Sequence, residues 1–196
     1  MSKFRIILIL CFFIFALSCK RKVDKQRILD KQDLSTQLII ENLITNIKLN
    51  NNISLSRSMV LIDAEDSKKS ISDLFQNDNR LLFLFFPKNS CGLCLDMEIE
   101  RLKKLPIKYA NKIIVLLTTN NINEVKIYKR RYSVNFRFFD IGDFSLSKKL
   151  ENITFPYYFV AERDLTTSMF YVPDKNINIT TTAYLKEVLT SISSSE

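Results

Sequence analysis

The sequence predicts an α/β fold: a mixed central sheet flanked by helices on both faces, with an N-terminal helical tether. Three observations support this class. Apolar runs of strand length alternate with helical patterns after about Ile53. The run Arg80–Phe86 is almost entirely apolar, as in a strand buried on both faces. Two late strand patterns flank the charged turn Glu162-Arg163-Asp164, which indicates a hairpin. Strands that alternate with helices and end in a hairpin are typical of a mixed sheet.

The strands come first in this assignment. They are predicted at Ser58–Ile62, Arg80–Phe86, Ile113–Leu117, Phe136–Phe139, Tyr157–Ala161 and Thr166–Val172.

The helices are assigned from apolar spacing and from start and stop signals. They are predicted at Ser70–Phe75, from Cys91 to the stop at Pro106, at Asn121–Tyr132, at Phe144–Leu150 and at Thr181–Ile192. Ser70 and Asp73 have the spacing of a capping box. In the last helix the inward positions are predicted to be Ala183, Leu185, Val188, Leu189 and Ile192.

The motif Cys91-Gly92-Leu93-Cys94 stands between the apolar strand Arg80–Phe86 and a helical pattern. A cysteine at a helix N-terminus is stabilised as the thiolate, which is the form that attacks disulfides. A second cysteine one turn later can close an intramolecular disulfide. The alternatives are two structural or vestigial thiols, or half of a zinc site. Zinc needs about four ligands, and the chain has no His and only two other cysteines, so we expect no metal and no cofactor.

The N-terminus has the pattern of a secretory signal. Lys3 and Arg5 precede the apolar run Ile6–Leu17, which is short for a membrane span of about 20 residues. The run ends in Ala16-Leu17-Ser18-Cys19, which resembles a bacterial lipobox. We therefore expect residues 1–18 to be a lipoprotein signal peptide that is removed together with Cys11, and Cys19 to be lipidated. The alternatives are an ordinary signal peptide and an uncleaved anchor.

Two further segments follow the signal. Residues 19–52 are predicted to be a membrane-proximal spacer with helix-like apolar spacing, or else a partly disordered tether. Residues 53–196 are predicted to form the folded domain. Lys and Arg outnumber Asp and Glu by 29 to 21, but the basic residues are scattered and form no stripe with aromatic residues. The composition therefore gives no support to nucleic-acid binding, and the expected non-protein partner is the membrane, through the lipid anchor.

Three motifs carry a family resemblance. They are the redox segment Phe85–Cys94, the segment Thr154–Val160, which places a proline at the start of a strand, and an additional strand and helix pattern within Asn121–Leu150. Together with the lipobox, they make residues 53–192 similar to the thioredoxin superfamily. The resemblance is greatest to the TlpA/ResA-like extracytoplasmic thiol–disulfide oxidoreductases and their lipoprotein relatives in Bacteroidetes.

The resemblance implies a role for four residues. Cys91 is the attacking cysteine, Cys94 resolves the mixed disulfide, and Pro156 is the cis-proline that faces them. The backbone of Phe155 then pairs with an extended substrate segment. The implied activity is disulfide exchange with exported proteins, with protein disulfides or dithiols as substrates and an unnamed redox partner. The implied location is the cell envelope, facing the periplasm, and Lys20 after Cys19 favours the outer membrane.

The chain departs from the family at three places. Ser90 replaces the usual Trp before the first cysteine, Gly92-Leu93 replaces Gly-Pro, and Phe85 occupies the place of the buried acid of thioredoxins. Because the chain has no His, the proton for a leaving thiolate must come from water, Lys, Tyr or a carboxyl. Lys88 is the nearest cation in sequence; it either holds the Cys91 thiolate or is a solvated loop residue.

Two other functions stay open at this point. One is a redox-inert binding module with the same fold, anchored to the membrane. The other is a peroxiredoxin-like peroxidase, which needs the pattern Pro-x-x-x-Thr/Ser-x-x-Cys. Pro87, Ser90 and Cys94 come within one residue of that pattern but miss its spacing.

Overall fold

The computed structural model describes residues 53–76, 78–88, 90, 92–119, 121–132, 135–144, 146, 155–173 and 178–194. The predicted signal peptide, Cys19, the spacer, Cys91 and most of the predicted helix Phe144–Leu150 lie outside these residues.

The described strands form one sheet. They are β1 Val60–Asp63, β2 Lys68–Ser70, β3 Arg80–Phe86, β4 Ile113–Leu117, β5 Arg137–Asp140, β6 Tyr157–Glu162 and β7 Thr167–Tyr171. Their spatial order is β2-β1-β5-β4-β3-β6-β7. Strands β3, β4 and β5 are parallel neighbours, whereas β1–β2, β1–β5, β3–β6 and β6–β7 pair antiparallel. The predicted mixed sheet is thus confirmed.

Three α-helices and two 3₁₀ helices accompany the sheet in the described part of the chain. The α-helices are α1 Gly92–Lys103, α2 Ile122–Tyr132 and α3 Asn178–Ser193. The 3₁₀ helices are Ile71–Phe75 and Ile107–Lys112. None of the helices within the described ranges is long and apolar enough to cross a membrane.

The sheet is buried on both faces. Leu82, Leu84 and Phe86 of β3 point into the core that α1, α2 and α3 cover. The alternate residues of β3 point into a second core, closed by the 3₁₀ helix Ile71–Phe75 and by the segment Ile53–Met59. Helical elements therefore lie on both faces, as predicted, and β3 is apolar throughout because neither face meets water.

Some local assignments were wrong or missing. The short edge strand β2 and the 3₁₀ helix after Pro106 were not predicted. Ala183 was predicted to face inward but is exposed. The buried face of α3 runs instead through Thr181, Leu185 and Val188, and Ala183 lies about half a turn away from it. Thr181 tolerates burial because its hydroxyl lies 3.1 Å from the Tyr171 hydroxyl.

Candidate functional site

The candidate site lies where the parallel strands end and α1 begins. Strands β3, β4 and β5 end at Phe86, Leu117 and Asp140 on the same edge of the sheet. Helix α1 starts there at Gly92, and the antiparallel strand β6 starts there at Tyr157. Crevices at the carboxyl ends of parallel strands are common ligand sites in α/β proteins.

Cys94 lies in the first turn of α1 and is partly buried. Cys91 immediately precedes Gly92 in the sequence and lies outside the described residues. The predicted helix that opens within the Cys-x-x-Cys motif is therefore present. The thiolate character of Cys91 stays a prediction.

The loop between β3 and α1 contains a turn and an ion pair. The Ser90 amide donates to the Pro87 carbonyl over 3.0 Å. Lys88 Nζ lies 2.6 Å from Asp143 Oδ1, and both side chains are exposed. Lys88 therefore has a carboxylate partner in the loop after β5, which neither interpretation of the sequence included.

Two hydrogen-bonded groups hold the strand ends together. The Thr118 hydroxyl donates to the Phe86 carbonyl over 2.9 Å. Asp140 is only 3% exposed, and its Oδ1 accepts from the amides of Thr119 and Gly142, each over 3.0 Å. These bonds connect the loops that follow β3, β4 and β5. The sequence analysis missed Asp140, although an acid at the end of a buried strand was a usable signal.

A small polar cleft of about 90 Å³ opens between α1 and α2 at this edge. Its polar lining comes from the loops after β3 and β4 and from α2: Lys88, Ser90, Thr118, Thr119, Glu124 and Tyr128. The cleft is on the side of α1 that faces α2. It is separate from the side that faces β6.

Pro156 and Phe155 lie on the β6 side of the site. Tyr157 pairs with Phe85, so the same register continued by one residue brings Pro156 opposite Phe86. Pro156 is buried, whereas Phe155 is 63% exposed. The predicted cis bond is wrong: no peptide bond among the described residues is cis, and Phe155–Pro156 is trans. The trans isomer is the intrinsically favoured one, by about 0.5–1 kcal/mol, unless the surroundings enforce cis.

Glu98, on α1, is a buried acid that the sequence analysis did not single out. It is 4% exposed. Its Oε2 accepts from the Tyr158 hydroxyl over 2.9 Å, and its Oε1 is in ion-pair contact with Arg101. Burial raises the pKa of the Glu98 carboxyl, and the Tyr158 hydrogen bond and Arg101 oppose that shift. Nothing in the residue type or spacing indicated this burial.

Asp96 lies on the opposite flank of α1. Its carboxylate accepts from the Tyr132 hydroxyl and lies 3.1 Å from an Arg131 nitrogen. Burial raises the pKa of Tyr132, and the hydrogen bond to Asp96 raises it further. Asp96 therefore ties α1 to α2, while Glu98 ties α1 to β6.

Comparison with known proteins gives matches of structure alone. Neither a protein family nor a curated protein matches the sequence. The C-terminal domain of a Bacteroides thetaiotaomicron protein that is described as a thiol-disulfide oxidoreductase is similar with a TM-score of 0.56 and 13% identity, over 76% of this chain and 99% of that chain. A peroxiredoxin Q variant from Xanthomonas campestris is similar with a TM-score of 0.54 and 12% identity, over 75% of this chain and 99% of that chain. A hypothetical protein from Sinorhizobium meliloti is similar with a TM-score of 0.53 and 19% identity, over 74% of this chain and 87% of that chain.

These likenesses each cover about three quarters of this chain. At such low identity they establish the architecture and not the activity. The chain has a thioredoxin-like fold.

Proposed function

We propose that this protein is a membrane-anchored thiol–disulfide oxidoreductase that exchanges disulfides with exported proteins through Cys91 and Cys94. The observation that carries the proposal is the position of the Cys-x-x-Cys motif. Gly92, Leu93 and Cys94 form the first turn of α1, at the carboxyl ends of the parallel strands, and Cys91 directly precedes them in the sequence. A thioredoxin-like fold with two cysteines at this helix end is suited to dithiol–disulfide cycling.

The proposed reaction has two exchange steps. The Cys91 thiolate attacks a substrate disulfide, forms a mixed disulfide and releases one substrate thiolate. Cys94 then attacks Cys91 Sγ, which closes the Cys91–Cys94 disulfide and releases the second substrate thiolate. The protein loses two electrons and the substrate gains them; an oxidase would run the same steps in reverse. The N-terminus of α1 favours the thiolate form of Cys91.

Pro156 is proposed to pack beside the sulfurs. Residues two apart on a strand share a face, so Pro156 and Tyr158 both point to the α1 side of the sheet. Strand β6 runs antiparallel to β3. A helix that connects two parallel strands also runs antiparallel to them, so α1 and β6 run in the same direction. One step of two residues along β6, from Tyr158 to Pro156, is about 6.6 Å. One helical turn from Glu98 back to Cys94 is about 6 Å. Because Tyr158 contacts Glu98, we expect Pro156 to lie beside Cys94 at the same height along α1.

Substrate binding is proposed at the exposed rim of this site. Leu93 is 66% exposed and Phe155 is 63% exposed. Leu93 lies within the Cys-x-x-Cys motif and Phe155 precedes Pro156, so we propose that these exposed apolar side chains form a contact surface for an unfolded or extended protein segment. The free backbone before Pro156 can pair with such a segment by strand addition.

The anchor belongs to the same proposal. We propose that Cys19 is lipidated, that residues 1–18 are removed, and that the domain faces the periplasm, with the outer membrane preferred because Lys20 follows Cys19. Several acyl chains, as on a mature lipoprotein, are needed because one chain gives only marginal binding.

The activity is tested with matched cysteine variants. Cys91→Ser should abolish exchange with a small-molecule disulfide, and Cys94→Ser should accumulate mixed disulfides that can be trapped in cells and identified by mass spectrometry. Cys19→Ser is the control, because it removes a cysteine outside the pair and should leave exchange in extracts unchanged. Exchange at the wild-type rate by Cys91→Ser would refute the proposal.

The same preparations separate the rival functions. A peroxidase, for which the peroxiredoxin Q likeness is the supporting observation, would consume peroxide with a thiol donor faster than it exchanges disulfides. A redox-inert binding module would show neither peroxide consumption nor cycling between dithiol and disulfide.

A further inference from the structure

We infer that Glu98 accepts the thiol proton of Cys94 when Cys94 resolves the mixed disulfide. This inference rests on the proposed function and names a proton acceptor in a chain without His. The place of the buried acid of thioredoxins is occupied here by Phe85, which is apolar and packed on the opposite face of the sheet. The carboxyl is supplied instead from α1.

The positions of the two side chains bring them together. Cys94 and Glu98 are four residues apart on α1, so their Cβ atoms are about 5–6 Å apart. Side chains on a helix tilt toward its N-terminus, and the Glu98 side chain therefore lies over the turn that holds Cys94. Leu95, Ile99 and Leu102 form the centre of the buried face, and Cys94 and Glu98 lie together on its β6 flank.

The groups around Glu98 hold its carboxylate without using all of its hydrogen-bond acceptor sites. Tyr158 from β6 donates to Oε2, and Arg101 from α1 contacts Oε1. Tyr184 from α3 packs behind Tyr158, with ring centroids 5.9 Å apart, and its hydroxyl donates to the Met169 carbonyl over 2.6 Å. A carboxylate has about four acceptor sites, and a proton from Cys94 would use one that neither Tyr158 nor Arg101 occupies.

Burial also suits the carboxyl to this task. A proton acceptor works best when its pKa is close to that of the donor and to the working pH. Desolvation raises the pKa of Glu98 toward that of a thiol, while Tyr158 and Arg101 keep the charged form accessible.

The step is balanced as follows. The Cys94 S–H bond breaks and its proton forms an O–H bond on Glu98. The Cys94 sulfur forms a bond to Cys91 Sγ as the bond from Cys91 to the substrate sulfur breaks, and the electron pair leaves on the substrate thiolate. Glu98 then returns its proton to the thiolate or to water.

A single-turnover experiment on the full chain tests this step. Cys91 is loaded with thionitrobenzoate from the aromatic disulfide reagent, and release of thionitrobenzoate by Cys94 is followed by absorbance. Glu98→Gln should slow release about 100-fold between pH 6 and 7. The difference should disappear above about pH 9.5, where a thiol with a pKa of about 8.5 ionises unaided. A merely structural role would slow release at every pH.

The matched control is Glu100→Gln. Glu100 carries the same charge on the same helix and pairs with Lys103 at the same i,i+3 spacing over 2.7 Å, but it is exposed. Its variant should release thionitrobenzoate at the wild-type rate. The inference is overturned if Glu98→Gln equals wild type at pH 6–7, or if its defect persists above pH 9.5.

A second variant covers the case in which Glu98→Gln does not fold. Tyr158→Phe keeps the carboxyl but removes a hydrogen bond to its charged form, so the pH midpoint of release should move upward; an unchanged midpoint overturns the inference. Because no protein substrate is used, a wild type that releases thionitrobenzoate but never exchanges with protein disulfides refutes the proposed function alone. A wild type without release refutes both.

Discussion

At the scale of single residues, the two acids that are buried in the described part of the chain are held in different ways. Glu98 is held by side chains from β6 and from its own helix. Asp140 accepts from the backbone amides of Thr119 and Gly142. A buried acceptor of this second kind fixes the loops around it, because its loss leaves amide donors without a partner where water cannot easily reach them.

Removing the Asp140 carboxylate should therefore destabilise the domain. Asp140→Ala leaves two amides without their acceptor, and we expect the free energy of unfolding to fall by about 2–3 kcal/mol. Asp143→Ala is the matched control three residues later. It removes an exposed ion pair with Lys88, which should cost less than about 1 kcal/mol. Urea unfolding followed by circular dichroism measures both, and equal losses would contradict the assignment of Asp140.

The raised pKa of Glu98 predicts a pH dependence of stability. Its ordinary pKa is 4.5, and the folded chain binds its proton more tightly than the unfolded chain does. The resulting stability is fully present below pH 4.5 and is lost as the pH rises through the folded pKa. Gln does not titrate, so the melting temperature of wild type minus that of Glu98→Gln should fall between pH 4 and pH 8.

Thermal unfolding across that pH range provides the measurement. Glu100→Gln again serves as the control, because its carboxylate is exposed and an exposed pair adds little stability. A melting difference for Glu98→Gln that stays constant or increases with pH would contradict the prediction.

The site was predictable from sequence only in part. Cys94 could be placed at a helix start because an apolar strand precedes the motif and an amphipathic helix follows it. The position of Pro156 at the start of β6 followed from its motif, but its isomer did not, since cis or trans depends on packing that one sequence does not encode locally. The burial of Glu98 depends on Tyr158, a contact 60 residues away in sequence.

At the scale of elements, the first 3₁₀ helix shows a local signal that was enough. Ser70 accepts from the Ser72 amide, and Asp73 accepts from the Ser70 amide over 2.9 Å, which is the predicted capping box. Ile71, Leu74 and Phe75 of this helix close the second core.

Ser70→Ala should therefore lower the free energy of unfolding by about 1 kcal/mol, because it removes the cap of a helix that the core depends on. Ser72→Ala is the control within the same helix, at an exposed position, and should change stability by less than about 0.5 kcal/mol. Chemical denaturation of the two variants side by side gives the comparison. A loss from Ser72→Ala as large as that from Ser70→Ala would contradict a capping role.

The elements that were predicted well are those with strong apolar patterns. Strands β3 and β4 were located correctly at both ends because a strand buried on both faces is apolar throughout. Strand β2 has the sequence Lys68-Lys69-Ser70, and only its pairing with β1 makes it a strand. Polar side chains on an edge strand oppose edge-to-edge association between molecules. The same side chains give no hydrophobic pattern, so the sequence analysis could not locate this strand.

At the scale of the whole molecule, the described residues build two cores on one sheet. We predict that a change at the proposed anchor alters location and leaves this fold intact. This separation makes the anchor testable with the complete chain.

Cys19→Ser should remove the added lipid mass from the extracted protein while its circular dichroism spectrum stays unchanged, because the proposed lipid is attached at Cys19. Cys11→Ser is the matched control, since Cys11 belongs to the segment proposed to be removed, and its product should have the lipidated mass of wild type. Fractionation and the intact mass of the extracted protein decide the question. A mass that corresponds to an unmodified chain starting at Met1 would contradict lipidation.

The pairing of Ile53 with the late hairpin places the first described residue far from the candidate site. The Ile53 carbonyl accepts from the Thr167 amide over 3.0 Å, and Thr167 pairs with Ala161, near the end of β6 that is farthest from Pro156. Ile53 thus lies about 15–20 Å from the carboxyl ends of the parallel strands. A segment that precedes Ile53, such as the one that carries the proposed lipid at Cys19, joins the domain away from Pro156. With roughly 34 residues between Cys19 and Ile53, at most about 120 Å of chain, the proposed anchor would limit how far the site can travel and would leave the direction in which it faces open.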